Sequence, residues 1–273
     1  MNKFDGLLIV TDLDGTLLRG DKSISKENLN AIEYYKANGG FFTYITGSPP
    51  MSSAEVYEAI NPNAPFGCMN GGGIYDHVKK EYMWLETLPN TVIELVESVD
   101  KNMPTVGIQV CTPEKVYFCK DNPAMIRHRF VTKLPNYACS YNDIKEPITK
   151  IVFTEDDEDT LFVLRDMLNV HELAENFGFI RSDKDFYEIV PKGINKGTIV
   201  NKLSRMLGVD LKRTIAIGDN DNDESMIRAA ALGVAVSNAS VTAKSAADYI
   251  TVSNEEHAIA KIICDIDTGK ISI

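Results

Sequence analysis

The sequence predicts an α/β protein, a doubly wound parallel sheet into which a second, smaller α/β domain is inserted. Three observations carry that prediction. Continuous apolar runs alternate with helical stretches over the first 70 residues, as in sheets covered on both faces. Strands of alternating polarity then appear, as in sheets with one open face. After Pro191 the first pattern returns.

The elements follow in order. Residues 6–12 (GLLIVTD) are an apolar run that ends in a polar cluster, the signature of a strand buried on both faces. Ser25 is suited to cap a helix running to about Asn38, and Gly39-Gly40 stop it. Residues 41–46 (FFTYIT) make a second strand. Pro49-Pro50 suits a loop or first helical turn, residues 51–60 read as helix, and residues 66–70 as a third parallel strand before Gly71-Gly72-Gly73. That glycine run lacks the dinucleotide fingerprint and is expected to turn the chain.

Strands are then expected at 105–110, 116–119, 150–154, 177–180 and 186–190, with helices at 91–101, 123–132 and 157–168. The acidic run 155–159 reads as a solvated helix start. The last part reads as helix 196–207, strand 214–218, helix 224–231, strand 233–236, helix 241–247 and strand 249–252. The expected domains are a core of residues 1–86 and 189–273 and an insert of residues 87–188.

Composition narrows the partners. The formal charge is -11, with no basic stretch to offset it, so nucleic acid and anionic membranes are poor partners. The first ten residues lack the apolar length of a signal peptide and no later run is long enough to span a bilayer, so a soluble, cytoplasmic chain is expected. The five cysteines are scattered and contain no Cys-x-x-Cys pair. Neither a disulfide framework nor a zinc site is expected, and most of them should be buried small hydrophobes. The four histidines are isolated from one another. Trp84 and Tyr82 read as packing residues. Oligomeric state is not legible.

The chemistry collects at strand ends, where open α/β sheets bind ligands. Asp12-Leu13-Asp14-Gly15-Thr16 follows the first strand, Thr46-Gly47-Ser48 the second, and Asp219 to Asp223 the strand at 214–218; Lys196 opens a helix. Asp12, Asp14, Asp219 and Asp223 would crowd together. Two carboxylates about 4 Å apart repel by about 4 kcal/mol at an effective dielectric of about 20, so such a group needs a counter-cation. All-oxygen ligands favour a hard ion, and Mg²⁺ is the usual companion of phosphate. Lys196, the Thr46 hydroxyl and the N–H groups of the Gly15 and Gly47 turns are suited to phosphoryl oxygens. An EF-hand is excluded, because the loop beginning at Asp219 has Glu224 where Gly is required and Ala230 where Glu is required.

The set Asp12-x-Asp14-Gly15-Thr16, Thr46-Gly47, Lys196-Gly197 and Gly218-Asp219-x-x-Asn222-Asp223 resembles the haloacid dehalogenase superfamily. The long insert, Asn70-Gly71-Gly72 and Glu188-Ile189-x-Pro191-x-Gly193-x-x-Lys196-Gly197 resemble its Cof-type sugar-phosphatase branch, with a large α/β cap. The resemblance implies a Rossmann-like core, Mg²⁺, and a small phosphorylated metabolite, such as a sugar phosphate, as substrate. It implies Asp12 as nucleophile and metal ligand. Asp14 would be the acid/base, with its carbonyl on the metal. Asp219 would be the third protein ligand, and Asn222 and Asp223 would support the metal. Thr46 and Lys196 would hold the phosphoryl group, and Gly15, Gly47, Asn70, Gly71 and Asn222 would line the substrate site. One departure is Ser48, where the branch usually carries Arg. A phosphomutase of the phosphomannomutase type and a non-catalytic phosphometabolite sensor are the alternatives. A mutase returns an isomerised ester, and a sensor has no need of Asp14.

Overall fold

The Leu-Leu-Ile-Val run after Gly6 is buried along its whole length in the computed structural model, which describes residues 3–273. The first two residues of the expected core segment lie outside the described residues. Strand β1 (Leu8–Thr11) leads through α1 (Lys26–Ala37) to β2 (Phe41–Tyr44), α2 (Ala54–Ile60), β3 (Phe66–Cys68), β4 (Gly73–Asp76) and β5 (Glu81–Leu85). Ser25 caps α1 by accepting from the Asn28 N–H at 3.1 Å, as its residue type predicts. The insert follows: α3 (Val92–Asn102), β6 (Gly107–Cys111), β7 (Val116–Lys120), α4 (Pro123–Thr132), β8 (Tyr137–Ala138), β9 (Lys150–Thr154), α5 (Glu158–Val170), β10 (Phe177–Asp183) and β11 (Phe186–Pro191). The chain closes with α6 (Lys196–Leu207), β12 (Thr214–Gly218), α7 (Glu224–Ala229), β13 (Leu232–Ala235), α8 (Val241–Ala246), β14 (Tyr249–Ile250) and α9 (Ala258–Asp267).

Two compact units result. One comprises residues 1–48, 53–84 and 195–273; the other comprises 85–194 with the short segment Pro49–Ser52. The first holds a five-stranded parallel sheet of order β14-β13-β12-β1-β2. Leu8 and Val10 pack against Ile199, Val200 and Leu203 of α6, and strand alternation sends Ile9 to the other face. All of these side chains are fully buried. Burying each such side chain contributes about 1.5–3 kcal/mol, which explains why the run reads apolar at every position.

The second unit holds a six-stranded sheet of order β10-β11-β9-β6-β7-β8. Ile108 and Val110 of β6, Ile151 and Phe153 of β9, and Ile189 of β11 form one core with Val96 and Val99 of α3 and Leu161, Leu164 and Leu168 of α5. The alternating positions explain the period-two pattern.

The fold differs from the sequence reading in three places. Residues 66–70 do not supply a further strand of the parallel ladder. Strand β3 pairs antiparallel with β4 in a separate three-stranded sheet and meets the β2 end only in an isolated bridge, Ile45 to Gly67. The cause is local: Met69 and Asn70 both take positive φ (53° and 52°), so the chain reverses, and Gly73 opens a strand. The sequence reading stopped at Val252, yet α9 follows, its Ile259, Ile262 and Ile263 buried beside α1. Of the five cysteines only Cys68 and Cys111 are buried; Cys264, on the outer side of α9, is exposed. Trp84 does pack as expected, against the α6 side of the core with the Lys202 ammonium 4.0 Å from its ring centre. Among the described residues no helix is long and apolar enough to cross a membrane.

Candidate active site

Strands β1 and β12 are parallel neighbours, so the residues that follow them emerge side by side. Asp12 continues the ladder, donating its N–H to the Ile217 carbonyl at 2.8 Å. The chain then winds round the Leu13 carbonyl, which accepts from the N–H groups of Thr16, Leu17 and Leu18. Gly15 sits in that turn at φ +76°, and a Cβ there would lie 2.4 Å from Asp219 Oδ2. Glycine is required at this point both by conformation and by the approach of the Asp219 carboxylate.

Lys196 joins the segments. It begins α6, whose cap Asn195 accepts from the Thr198 N–H at 3.0 Å. A cation at a helix N-terminus opposes the helix dipole. Here it is offset by two carboxylates, because Lys196 Nζ donates to Asp12 Oδ1 at 2.8 Å and to Asp223 Oδ1 at 2.5 Å. The other Asp223 oxygen accepts from the N–H groups of Asp219 and Asn220, at 2.9 and 3.0 Å. Asp223 therefore shapes the Asp219 loop and holds Lys196, with little capacity left for further ligands. The Thr16 hydroxyl donates to Asp219 Oδ1 at 2.6 Å, leaving Asp219 Oδ2 beside Gly15.

Carboxylate oxygens of Asp12, Asp219 and Asp223 lie within 4.8 Å of one another. Three acids thus face one ammonium, a surplus of two negative charges in a buried place. The ionisation equilibria register it. Burial, then the Asp223 and Asp219 charges, push Asp12 well above the ordinary carboxylate range against the pull of Lys196. Asp219 is pushed up to about 7 by burial first and the Asp223 charge second, against the Thr16 hydrogen bond and Lys196. Burial alone would lower Lys196, but the facing Asp12 and Asp223 carboxylates more than reverse this and keep it charged.

The remaining predicted residues converge on this cluster through Asn222 and Asn70. Asn222 Nδ2 donates to Asn70 Oδ1 at 3.0 Å, across 152 residues of sequence. Asn70 in turn lies against Gly47, where a Cβ would come within 3.0 Å of its side-chain oxygen. Its N–H donates to the Thr46 carbonyl at 3.2 Å. The Thr46 hydroxyl, buried, accepts from the Ser48 N–H at 3.2 Å. Gly71, at φ +102°, brings its backbone so near Asn195 that a Cβ would meet the Asn195 carbonyl at 2.2 Å. Asp14 alone stands apart: its exposed carboxylate accepts from Lys22 Nζ at 2.6 Å.

Three contributors were not singled out from sequence. Thr16 fixes Asp219, Asn195 starts the lysine helix, and Asn238 Nδ2 holds the Gly15 carbonyl at 2.9 Å. Thr16 and Asn195 sit inside the quoted motifs, so their positions were visible. Asn238 carries no local signal.

The donor set fits a hard divalent cation. It is all oxygen, it carries two surplus negative charges, and the buried Asn222 Oδ1 has no hydrogen-bond partner among the described residues.

A parallel sheet with an inserted α/β unit and an aspartate–lysine cluster at its strand ends defines a class. The chain belongs to the haloacid dehalogenase-like hydrolases, whose family profile matches residues 9–263. It is a phosphatase of that superfamily, on the Cof-type branch. It is 28% identical to a 5-amino-6-(5-phospho-D-ribitylamino)uracil phosphatase of Bacillus subtilis, over 94% of this chain and 96% of that protein. Among solved structures it resembles a haloacid dehalogenase-like hydrolase from Bacteroides thetaiotaomicron, with TM-score 0.83 and 29% identity over 95% of this chain and 99% of that one. The fold also matches a subclass IIB sugar phosphatase at TM-score 0.81 and 22% identity, over 97% of this chain and all (100%) of that one.

Proposed function

We propose that this phosphatase hydrolyses a small phosphomonoester with the help of Mg²⁺, through a phosphoryl group carried on Asp12. The observation that supports this most directly is the pair of hydrogen bonds that Lys196 donates to Asp12 and Asp223 inside the three-aspartate cluster. Lys196 Nζ occupies Asp12 Oδ1, which leaves Oδ2 as the attacking atom. The Asp12 Oδ2–phosphorus bond forms as the ester P–O bond breaks, and Asp14 gives its proton to the leaving oxygen. A water oxygen then bonds to phosphorus, Asp14 takes a water proton, and the Asp12–phosphorus bond breaks to free phosphate.

Asp12, Asp219 and the Asp14 carbonyl would hold Mg²⁺, with Asn222 and Asp223 supporting it. When bound, the ion cancels the surplus charge and withdraws electron density from the phosphoryl oxygens. Thr46, Lys196 and the Gly15 and Gly47 turns orient the phosphoryl group, while Asn70 and Gly71 line the substrate site. Residues 87–188 act as the cap that sets specificity.

The name of the B. subtilis relative, a phosphorylated sugar-alcohol adduct of a pyrimidine, supports a phosphorylated polyol or sugar as the substrate class. The net charge of -11 argues against nucleic acid as a partner, and the short apolar runs favour the cytoplasm. The decisive variant is Asp12→Asn, assayed with Mg²⁺ and para-nitrophenyl phosphate. Turnover should fall by about 10⁴-fold or more, as when a covalent nucleophile is removed elsewhere. Retained turnover would remove Asp12 from the nucleophile's role.

A further inference from the structure

Asp14 is paired with a lysine that none of the site motifs contains. Lys22 lies on the turn Arg19–Ser23, closed by the Arg19 N–H donating to the Ser23 carbonyl at 3.0 Å and the Lys22 N–H donating to the Arg19 carbonyl at 2.9 Å. The turn is anchored from outside. The Gly20 N–H donates to Glu255 Oε1 at 2.8 Å, and Asn254 Nδ2 donates to the Leu18 carbonyl at 2.9 Å. At the far end of the segment Asn238 holds the Gly15 carbonyl. Within this fixed turn Lys22 takes φ +66°, a conformation that residues with a Cβ rarely adopt.

Such backbone strain persists only where the surroundings enforce it, and it collects at functional sites. The ion pair itself adds little stability here. The Lys22–Asp14 pair is more than half exposed on both sides, and exposed pairs contribute little. What the turn achieves is placement: the ammonium sits 2.6 Å from Asp14 Oδ1. With Oδ1 engaged by the ammonium, Oδ2 is the oxygen that the pair leaves open.

We propose that Lys22 is a positioning residue for proton transfer, holding the Asp14 carboxyl in the orientation from which Oδ2 serves the leaving oxygen. The proposal rests on the acid/base role given to Asp14 above. Lys22 itself takes no part in bond making; the proton passes from Asp14 Oδ2 to the leaving oxygen as the ester bond breaks.

Leaving groups separate this role from a structural one. para-Nitrophenolate departs without protonation, whereas phenolate, a much stronger base, benefits from an acid. kcat/KM, which reports the step that expels the leaving group, is measured for both aryl phosphates with the intact protein, Lys22→Met and Lys22→Arg, alongside thermal unfolding. Lys22→Met should slow phenyl phosphate about ten-fold, part of the roughly 10²- to 10⁴-fold that a general acid contributes, and para-nitrophenyl phosphate less than about two-fold. Lys22→Arg should restore most of the loss, with unfolding unchanged in both variants. An equal loss on the two esters, no loss on either, or failure of arginine to rescue overturns the proposal. If the unsubstituted protein with Mg²⁺ releases phosphate from neither ester, the reading of Asp12 and Asp14 falls first and takes this one with it.

Discussion

Two buried lysines set the proposed active site against the interior of the inserted unit. Lys196, in the core unit, and Lys150, in the inserted unit, have side chains 1% and 5% exposed. Lys150 Nζ donates to Glu188 Oε1 at 3.0 Å across neighbouring strands, and the Ser182 hydroxyl donates to the same oxygen at 2.6 Å. Charge matches charge in that pair. Lys196 instead faces Asp12 and Asp223, with Asp219 alongside, and burial first, then the excess negative charge, drives Asp12 and Asp219 toward protonation. A matched buried pair holds strands in register. An unmatched one stores electrostatic free energy that an added cation releases, which is what a phosphoryl-transfer site requires.

The largest expected effect tests that contrast directly. Removing one partner of a buried pair costs about 3–5 kcal/mol. Lys150→Met and Lys196→Met should both lose stability on that scale in urea unfolding, but only the second stands among the residues proposed to hold phosphate. Adding Glu188→Leu to Lys150→Met should regain most of the stability, because the orphaned carboxylate goes with its partner. If the double variant stays as unstable as the single one, the matched-pair description is wrong.

A smaller effect should come from metal. A ligand at a hundred times its Kd stabilises the folded state by about 2.7 kcal/mol. Mg²⁺ should therefore raise the melting temperature of the intact protein, and Asp219→Asn should blunt the rise. An equal rise in both would show that the ion binds elsewhere.

The smallest is a pH slope in metal-free protein. Asp219 is raised from an ordinary 3.8 to about 7, so between those values the folded state holds a proton that the unfolded chain has released. Stability should then fall as pH rises through that window, with Asp219 contributing at most about 1.4 kcal/mol per pH unit, the most that one proton supplies, and Asp12, raised as well, adding in the same direction. Saturating Mg²⁺ should flatten or reverse the slope, since the ion binds the deprotonated carboxylate. A slope unchanged in Asp219→Asn would assign it to other groups.

Much of the architecture was legible because burial writes itself into composition. The runs at β1, β2 and β12 are largely apolar since parallel strands are covered on both faces, and the alternation in β6 follows from a sheet whose two faces differ. The β4–β5 hairpin was not legible. It follows a reversal at Met69 and Asn70, of which asparagine tolerates positive φ but methionine gives no warning of it, and β5 is only partly buried. Helix α9 was passed over although its isoleucines recur at helical spacing, a signal present in the residues themselves.

The residues proposed for the site could be picked out one by one, since carboxylates, a lysine and small turn residues at strand ends are the residue types that phosphate-handling chemistry needs. Their arrangement was not. That Asp223 spends its oxygens on Lys196 and on the backbone of its own loop, that Asn222 reaches Asn70, and that Asp14 turns to Lys22 all depend on which segments meet in space. Sequence by itself determined which groups were available and, through the periodicity of apolar residues, which elements would carry them. Tertiary structure decided who pairs with whom, because hydrogen bonds and charge interactions act over a few ångströms whereas partners such as Gly15 and Asn238 lie 223 residues apart along the chain.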